Sequence, residues 1–194
     1  GTNKDLLLEF AYNEDGVVTT KELYEMIYKM TFEEETKEET HLTMKDVVLS
    51  ILSEMGIVGE VGSDDIVRII MLLSEREEAT MQVPSLKGLY EEIASKTRFS
   101  GPEIAKESKA IEQRIRRTIL AAMNNIATLG VVDYTNPEFE YYAPRYFDFA
   151  EIRVAMKEVQ ESGSMPKKIK VNIKKFIQVL FVDSMDKFRR KPSK

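Results

Sequence analysis

The 194-residue chain contains no cysteine, no tryptophan and a single histidine, and two of these shortages close off classes of chemistry. Without cysteine there is neither a disulfide framework nor a thiolate metal site. That composition suits a reducing compartment, and a cytoplasmic location is expected. His41 is the only histidine and sits beside an acidic run, so a nucleophile–histidine couple has no visible home. No apolar run approaches the roughly 20 residues that a membrane helix needs. The first residues also lack the basic-then-apolar order of a secretion signal, so no membrane contact is expected. Glycine is sparse and wrongly placed for nucleotides. Gly56, Gly59 and Gly62 follow a helical segment rather than a strand, and no Gly-Lys-Ser/Thr phosphate loop occurs. Asp64-Asp65 is explained by a helix N-terminus rather than by catalysis. The expectation is a non-enzyme, with no catalytic residues, no metal and no cofactor.

What the chain does have is helical periodicity. Hydrophobic residues make up 43% of it, enough for one good core or one core with a smaller helical annex. The ten methionines fall at apolar helical positions and serve as core filling. The spacing predicts helices over 3–12 and 20–31, the second opened by a Thr19–Glu22 capping box. Residues 33–41 are a polar, mostly acidic linker. Thr43 caps a helix with the stripe Val47, Val48, Ile51, Leu52 and Met55, which ends at Gly56. Ser63 starts another that runs to about Arg76 and is buried through Ile66, Ile69, Ile70 and Leu73. Ser85, after Pro84, N-caps a helix carrying Leu86, Leu89, Tyr90, Ile93 and Ala94 on its inner face. Gly101 and Pro102 interrupt the path to the next helix, which Gly130 ends. Residues 131–147 are rich in aromatic and β-branched side chains around Asn136-Pro137, which favours a small β-hairpin or an extended insertion whose aromatics enter the core. Helices over 148–161 and 172–188 close the chain. The fold class is all-α, a multi-helix bundle containing a helix-turn-helix. Residues 1–42 form a helical extension with its acidic linker, and residues 43–194 the main domain.

The helix over 106–126 is the most informative. Ile111, Ile115, Thr118, Ile119, Ala122 and Ile126 recur at three and four and share one face. Lys106, Lys109, Gln113, Arg116, Arg117 and Asn124 fall on the other. Preceded by the short Ser85 helix, this arrangement suggests a helix-turn-helix reader of double-stranded DNA. A solvated basic face on an ordinary amphipathic helix is the plainer reading. Charge partition favours the first. Residues 1–80 hold 7 Lys+Arg against 19 Asp+Glu, a net of −12, whereas residues 81–194 hold 21 against 14, a net of +7. Cationic side chains gain affinity for a duplex by releasing its condensed counterions, which assigns DNA to the second half.

Four landmarks in order carry a resemblance: Ser53-Glu54-Met55-Gly56-Ile57, Leu89-Tyr90-Glu91-Glu92-Ile93-Ala94-Ser95-Lys96, Ile111-Glu112-Gln113-Arg114-Ile115-Arg116-Arg117-Thr118-Ile119, and Asn172-Ile173-Lys174-Lys175-Phe176-Ile177. Over about residues 47–188 the chain resembles the all-helical effector domain of the sporulation-initiation response regulator of spore-forming bacteria. It is more similar still to the DNA-binding output domain of the related glutamine-responsive regulators. The resemblance implies a two-component transcription factor with a receiver domain N-terminal to Gly1. Phosphorylation of that receiver would control pairing of output domains, as a homodimer on repeated half-sites. It also implies that Glu112 and Arg116 are the base-contacting pair. Gln113 stands where the sporulation regulator has an arginine, which implies a different target, since Gln pairs with adenine and Arg with guanine. Two departures are the longer connection from Lys96 to Lys109, in which Pro102–Lys106 can add a turn of helix, and the enlarged segment 131–166.

Helix geometry assigns the roles. Arg116 has the planar fork for guanine O6 and N7, and Glu112 one turn earlier can accept from cytosine N4. Lys106, Lys109 and Arg117 flank them as phosphate contacts. Ser85 at its helix start, and Asn172, Lys174 and Lys175 at the start of the last helix, can hold the adjacent backbone. Glu112 and Arg116 are also spaced as a helical ion pair, which is compatible with reading DNA.

A second class of function rests on residues 11–22. Asn13, Asp15, Gly16 and Glu22 fit positions three, five, six and twelve of a calcium loop, but Ala11 supplies no carboxylate at the first. The corresponding alternative is a helical protein-interaction module with a degenerate calcium-binding helix-loop-helix.

Overall fold

The computed structural model describes residues 42–76, 83–163 and 168–190. The helices expected over 3–12 and 20–31, the Thr19–Glu22 capping box, the linker over 33–41 and the calcium-loop pattern lie outside these residues. The described residues belong to one compact unit, 42–194. They contain seven helices and no strand: α1 (Met44–Glu54), α2 (Ser63–Ser74), α3 (Leu86–Ser95), α4 (Gly101–Val132), α5 (Pro137–Tyr146), α6 (Phe149–Ser162) and α7 (Ile173–Arg189).

The helix starts follow local chemistry. At α1 the capping box closes in both directions: Asp46 N–H donates to Thr43 Oγ1 at 3.2 Å and Thr43 N–H to Asp46 Oδ2 at 2.8 Å. Gly56, at φ 69°, turns the chain after α1. There the Asn125 amide donates to the carbonyls of Met55 and Gly56, each at 3.1 Å. Gly62 has a different reason to be glycine: any Cβ would meet the α4 backbone at Arg114 and Ile115. Its N–H donates to Thr118 Oγ1 at 3.0 Å, which explains a hydroxyl inside the apolar stripe of α4.

The long α4 is the spine. It has 32 residues and is therefore about 48 Å long. It packs against α2, α3, α5, α6 and α7, while α1 packs on α2 and α7. Ile111, Ile115, Thr118, Ile119, Ala122 and Ile126 all lie in the core, as their spacing predicts. Its ends differ from expectation. Gly101 and Pro102 open the helix instead of breaking the path to it, because Ser100 accepts from Glu103 N–H and proline is tolerated in the first turn. The extra turn over Pro102–Lys106 is present. Nor does Gly130 stop the helix, which continues to Val132. The glycine is needed because the Phe139 ring lies where a Cβ would stand.

The hairpin or extended insertion expected over 131–147 is replaced by α5. Asn136 accepts from the N–H groups of Glu138 (2.9 Å) and Phe139 (3.1 Å), and Pro137 occupies the first helical position. Phe139, Tyr142, Ala143 and Tyr146, spaced three, one and three, bury one helical face. Asp183 of α7, 4% exposed, accepts from Tyr146 (2.8 Å), Tyr141 (3.2 Å) and Arg145 (2.6 Å). Tyr142 donates to Glu54 of α1, which also pairs with Lys187 at 3.2 Å. The aromatics at 139, 142, 146 and 147 are core, as expected, and staple α5 to α1, α4 and α7, whereas Tyr134 and Tyr141 are exposed, against that expectation.

Candidate nucleic-acid interface

Helices α3 and α4 are joined by the five residues 96–100, and α3 packs on the N-terminal half of α4 through Leu89, Tyr90, Ile93 and Ala94. This leaves the opposite side of that half exposed, with Lys106, Lys109, Gln113 and Arg117 outward and Glu112 and Arg116 half-buried at its edge. Glu112 Oε1 and Arg116 Nη2 lie 3.5 Å apart, the helical pair that the spacing predicts. Arg117 Nε donates to the Gln113 carbonyl at 3.4 Å, which lays its guanidinium along the helix.

The start of α7 comes to the same place. A groove of about 740 Å³ is lined by α3 (Leu86, Lys87, Tyr90, Glu91), α4 (Ala105, Ser108, Lys109, Glu112, Arg116) and the α7 N-terminus (Lys170, Val171, Asn172, Ile173, Lys174), with Asp148 at its side. Of the ten residues singled out from the sequence, Lys109, Glu112, Arg116, Asn172 and Lys174 therefore line one cleft. Lys106, Gln113 and Arg117 are exposed on α4 and do not line it. Ser85 stands outside the groove, exposed at the start of α3; it occupies the N-cap position, but its hydroxyl makes no capping bond. Lys175 is engaged within the fold. Its ammonium donates to the Phe147 carbonyl, the cap of α5, and lies 3.4 Å from Asp148. Asn172 Oδ1 accepts from Lys175 N–H at 3.0 Å, so this exposed residue caps α7.

Two residues near this surface escaped sequence reasoning. Arg114 falls between the apolar stripe and the basic face. Its Nε donates to Asp65 Oδ2 at 2.7 Å and its Nη2 to Asp65 Oδ1 at 3.3 Å and Glu107 Oε1 at 2.9 Å. Those bonds hold the Arg114 pKa above its ordinary value, and the Arg114 hydrogen bond holds the Glu107 carboxyl below its own. The signal was a cation only three residues from Ile111 on an otherwise apolar face. The other is Tyr90, read as plain core. It is 3% exposed, yet its hydroxyl has no hydrogen-bond partner among the described residues. Burial, and then the Glu112 carboxylate, push its pKa up to about 12, against a smaller pull from Arg116.

No helix of the described residues is long and apolar enough to cross a membrane. Residues 47–180 match the YcbB domain family, a span that includes every lining residue of the groove. The transcriptional regulatory protein GlnL of Bacillus subtilis (strain 168) is 38% identical over 148 residues, 73% of this chain and 47% of the relative. The chain thus spans about half the length of that curated relative, whose name is that of a regulator and not of an enzyme. No solved structure matches. With a family match over most of its folded unit and a relative of this identity, the chain belongs to the YcbB domain family.

Proposed function

We propose that this chain is the output part of a two-component transcriptional regulator and binds double-stranded DNA sequence-specifically through the N-terminal half of α4. The observation that carries the reading is the exposed face bearing Lys106, Lys109, Gln113 and Arg117, with the Glu112–Arg116 pair at its edge and the α7 N-terminus alongside. Kinship with a protein named as a transcriptional regulator supports it. In this assignment Arg116 takes guanine, Glu112 the cytosine amino group and Gln113 an adenine. Lys106, Lys109, Arg117 and Lys174 contact phosphates, as do Ser85 and the Asn172 amide. Lys175 acts by fixing the start of α7 against the Phe147 carbonyl. Residues 1–42 precede this domain as an extension. A receiver domain N-terminal to Gly1 governs homodimer formation on repeated half-sites in the cytoplasm.

The test is a fluorescence-anisotropy titration against a randomised duplex pool, followed by selection and sequencing. A short enriched motif with guanine and adenine positions is expected, with affinity that falls steeply with salt. Arg116→Ala should cost about 1–3 kcal/mol of discrimination at one position. Lys109→Ala should weaken all sequences alike and lower the salt slope by about 1. Equal effects of the two substitutions would defeat the role assignment. Absence of binding at low salt by folded protein would move the reading to the protein-interaction module, whose calcium-loop pattern lies outside the described residues.

A further inference from the structure

Tyr90 is anomalous for a core residue. Its ring is packed between α3 and α4, but its hydroxyl is buried with no acceptor and no donor among the described residues. A buried hydroxyl that loses water without gaining a partner is unfavourable, so such a group in a well-packed helix pair calls for a reason. Phenylalanine would fill the same volume without the penalty. The hydroxyl is also not remote from chemistry, since Tyr90 lines the same groove as Glu112 and Arg116. Those two are the charged side chains that act on it electrostatically, Glu112 the more strongly.

The carboxylates nearby differ in availability. Asp148 lies 3.4 Å from the Lys175 ammonium. Glu91 follows Tyr90 directly on α3, and adjacent positions on a helix do not face each other. Among the described residues Glu112 is held only by Arg116, at 3.5 Å, with both side chains 40% exposed. A pair so long and so exposed is weak, so little holds Arg116 to Glu112 when its fork turns to guanine O6 and N7.

We propose that the Tyr90 hydroxyl is the alternate partner of Glu112, donating to the carboxylate once Arg116 turns from Glu112 to a base. The proposal rests on the DNA-reading role assigned to α4. A carboxylate has two oxygens and about four acceptor sites. One oxygen accepts from Tyr90 and the other remains for the cytosine amino group. Tyr90 is then a positioning residue: it contacts no nucleic acid, and it holds Glu112 in the orientation that reads the base. The unsatisfied hydroxyl of the free protein becomes satisfied only in the complex, so the free state carries a cost that binding relieves.

Two arms test this. In the first, without DNA, melting temperatures are compared for the parent, Tyr90→Phe, Arg116→Ala and the double variant. In the parent background Tyr90→Phe should leave the melting temperature unchanged or raise it, because it deletes an unpartnered group. With Arg116 gone, Glu112 is free to accept from Tyr90, and adding Tyr90→Phe should lower it by about 3 °C or more. Adding Glu112→Ala should abolish that loss. Equal melting of Arg116→Ala and Arg116→Ala/Tyr90→Phe would overturn the proposal whether or not the protein binds DNA. In the second arm, Tyr90→Phe should reduce preference at the cytosine position about ten-fold while affinity for unrelated duplexes and its salt slope stay at the parent value. An unchanged base profile would overturn the positioning role. If the parent binds no DNA but the melting pattern holds, the Tyr90–Glu112 bond stands and the DNA-reading role falls.

Discussion

Arg114 places a cation beside the apolar stripe of α4 and directs it at Asp65, a buried carboxylate at the start of α2. Arg68 is a weaker neighbour at 3.7 Å, so the charge balance of Asp65 depends on Arg114. Removing one member of a buried pair leaves the other charge unpaired, and the penalty exceeds the net worth of the intact pair. Arg114→Ala is therefore expected to destabilise the domain by about 3 kcal/mol in urea titrations. Arg114→Leu combined with Asp65→Leu should recover most of the loss, and equal losses for the single and double variants would refute the pairing. At this scale the sequence was only partly legible. Asp65 reads as an ordinary first-turn acid and Arg114 as one more base in a basic run. Their partnership, like the close approach that requires Gly62, exists because α2 docks across α4 forty-nine positions later.

Elements were more legible than residues wherever their signal was periodic. The stripes of α1, α2, α3 and α4 are buried where their spacing places them, except Leu86 at the start of α3, which is half-buried. Segment 131–147 was the exception, with its aromatics and Asn-Pro pointing to a hairpin or extended insertion. The competing signal was there too: Phe139, Tyr142, Ala143 and Tyr146 lie on one helical face, preceded by an N-cap asparagine and a first-turn proline. β-propensity describes side chains on a half-buried sheet and is overridden when a helix finds a surface to cover. The surface is α4 and α7, and Asp183 is its polar anchor. Asp183→Ala leaves the hydroxyl of Tyr146 and the guanidinium of Arg145 without their acceptor. We expect a loss of about 2–4 kcal/mol, with amide exchange rising first in α5. Uniform exchange across all helices would argue against a local staple.

For the whole molecule, ionisation bounds stability on both sides. Glu54 and Glu107 have carboxyl pKa values held below their ordinary 4.5: Glu54 because bonds from Tyr142 and Lys187 outweigh the opposing effect of burial, Glu107 because of Arg114. A pKa lowered by folding contributes stability that is present above 4.5 and disappears as pH falls through the folded value. Tyr142 and Tyr146 are raised above the ordinary 10.0, by burial first and then by the bonded carboxylates Glu54 and Asp183. Their neutral forms are favoured in the fold, so that contribution is complete below pH 10 and fades above it. Denaturation midpoints measured against pH should show a plateau with an acid and an alkaline limb. Glu54→Gln and Glu107→Gln should each flatten the acid limb, and an unchanged limb in both would reject the assignment.

The sequence by itself determined the all-helical class, the capped start of α1, the buried stripe of α4 and the cationic residues opposite it. Each of these is local, because periodicity and capping depend on neighbours within about one or two turns. Only the tertiary structure decided that 137–146 is a helix, that Arg114 belongs to Asp65, and that Lys175 is spent on the Phe147 carbonyl. It alone brought the start of α7 beside Lys109, Glu112 and Arg116 and left the Tyr90 hydroxyl buried near them. Those outcomes depend on which surfaces meet, and meeting is set by packing between segments distant in the chain.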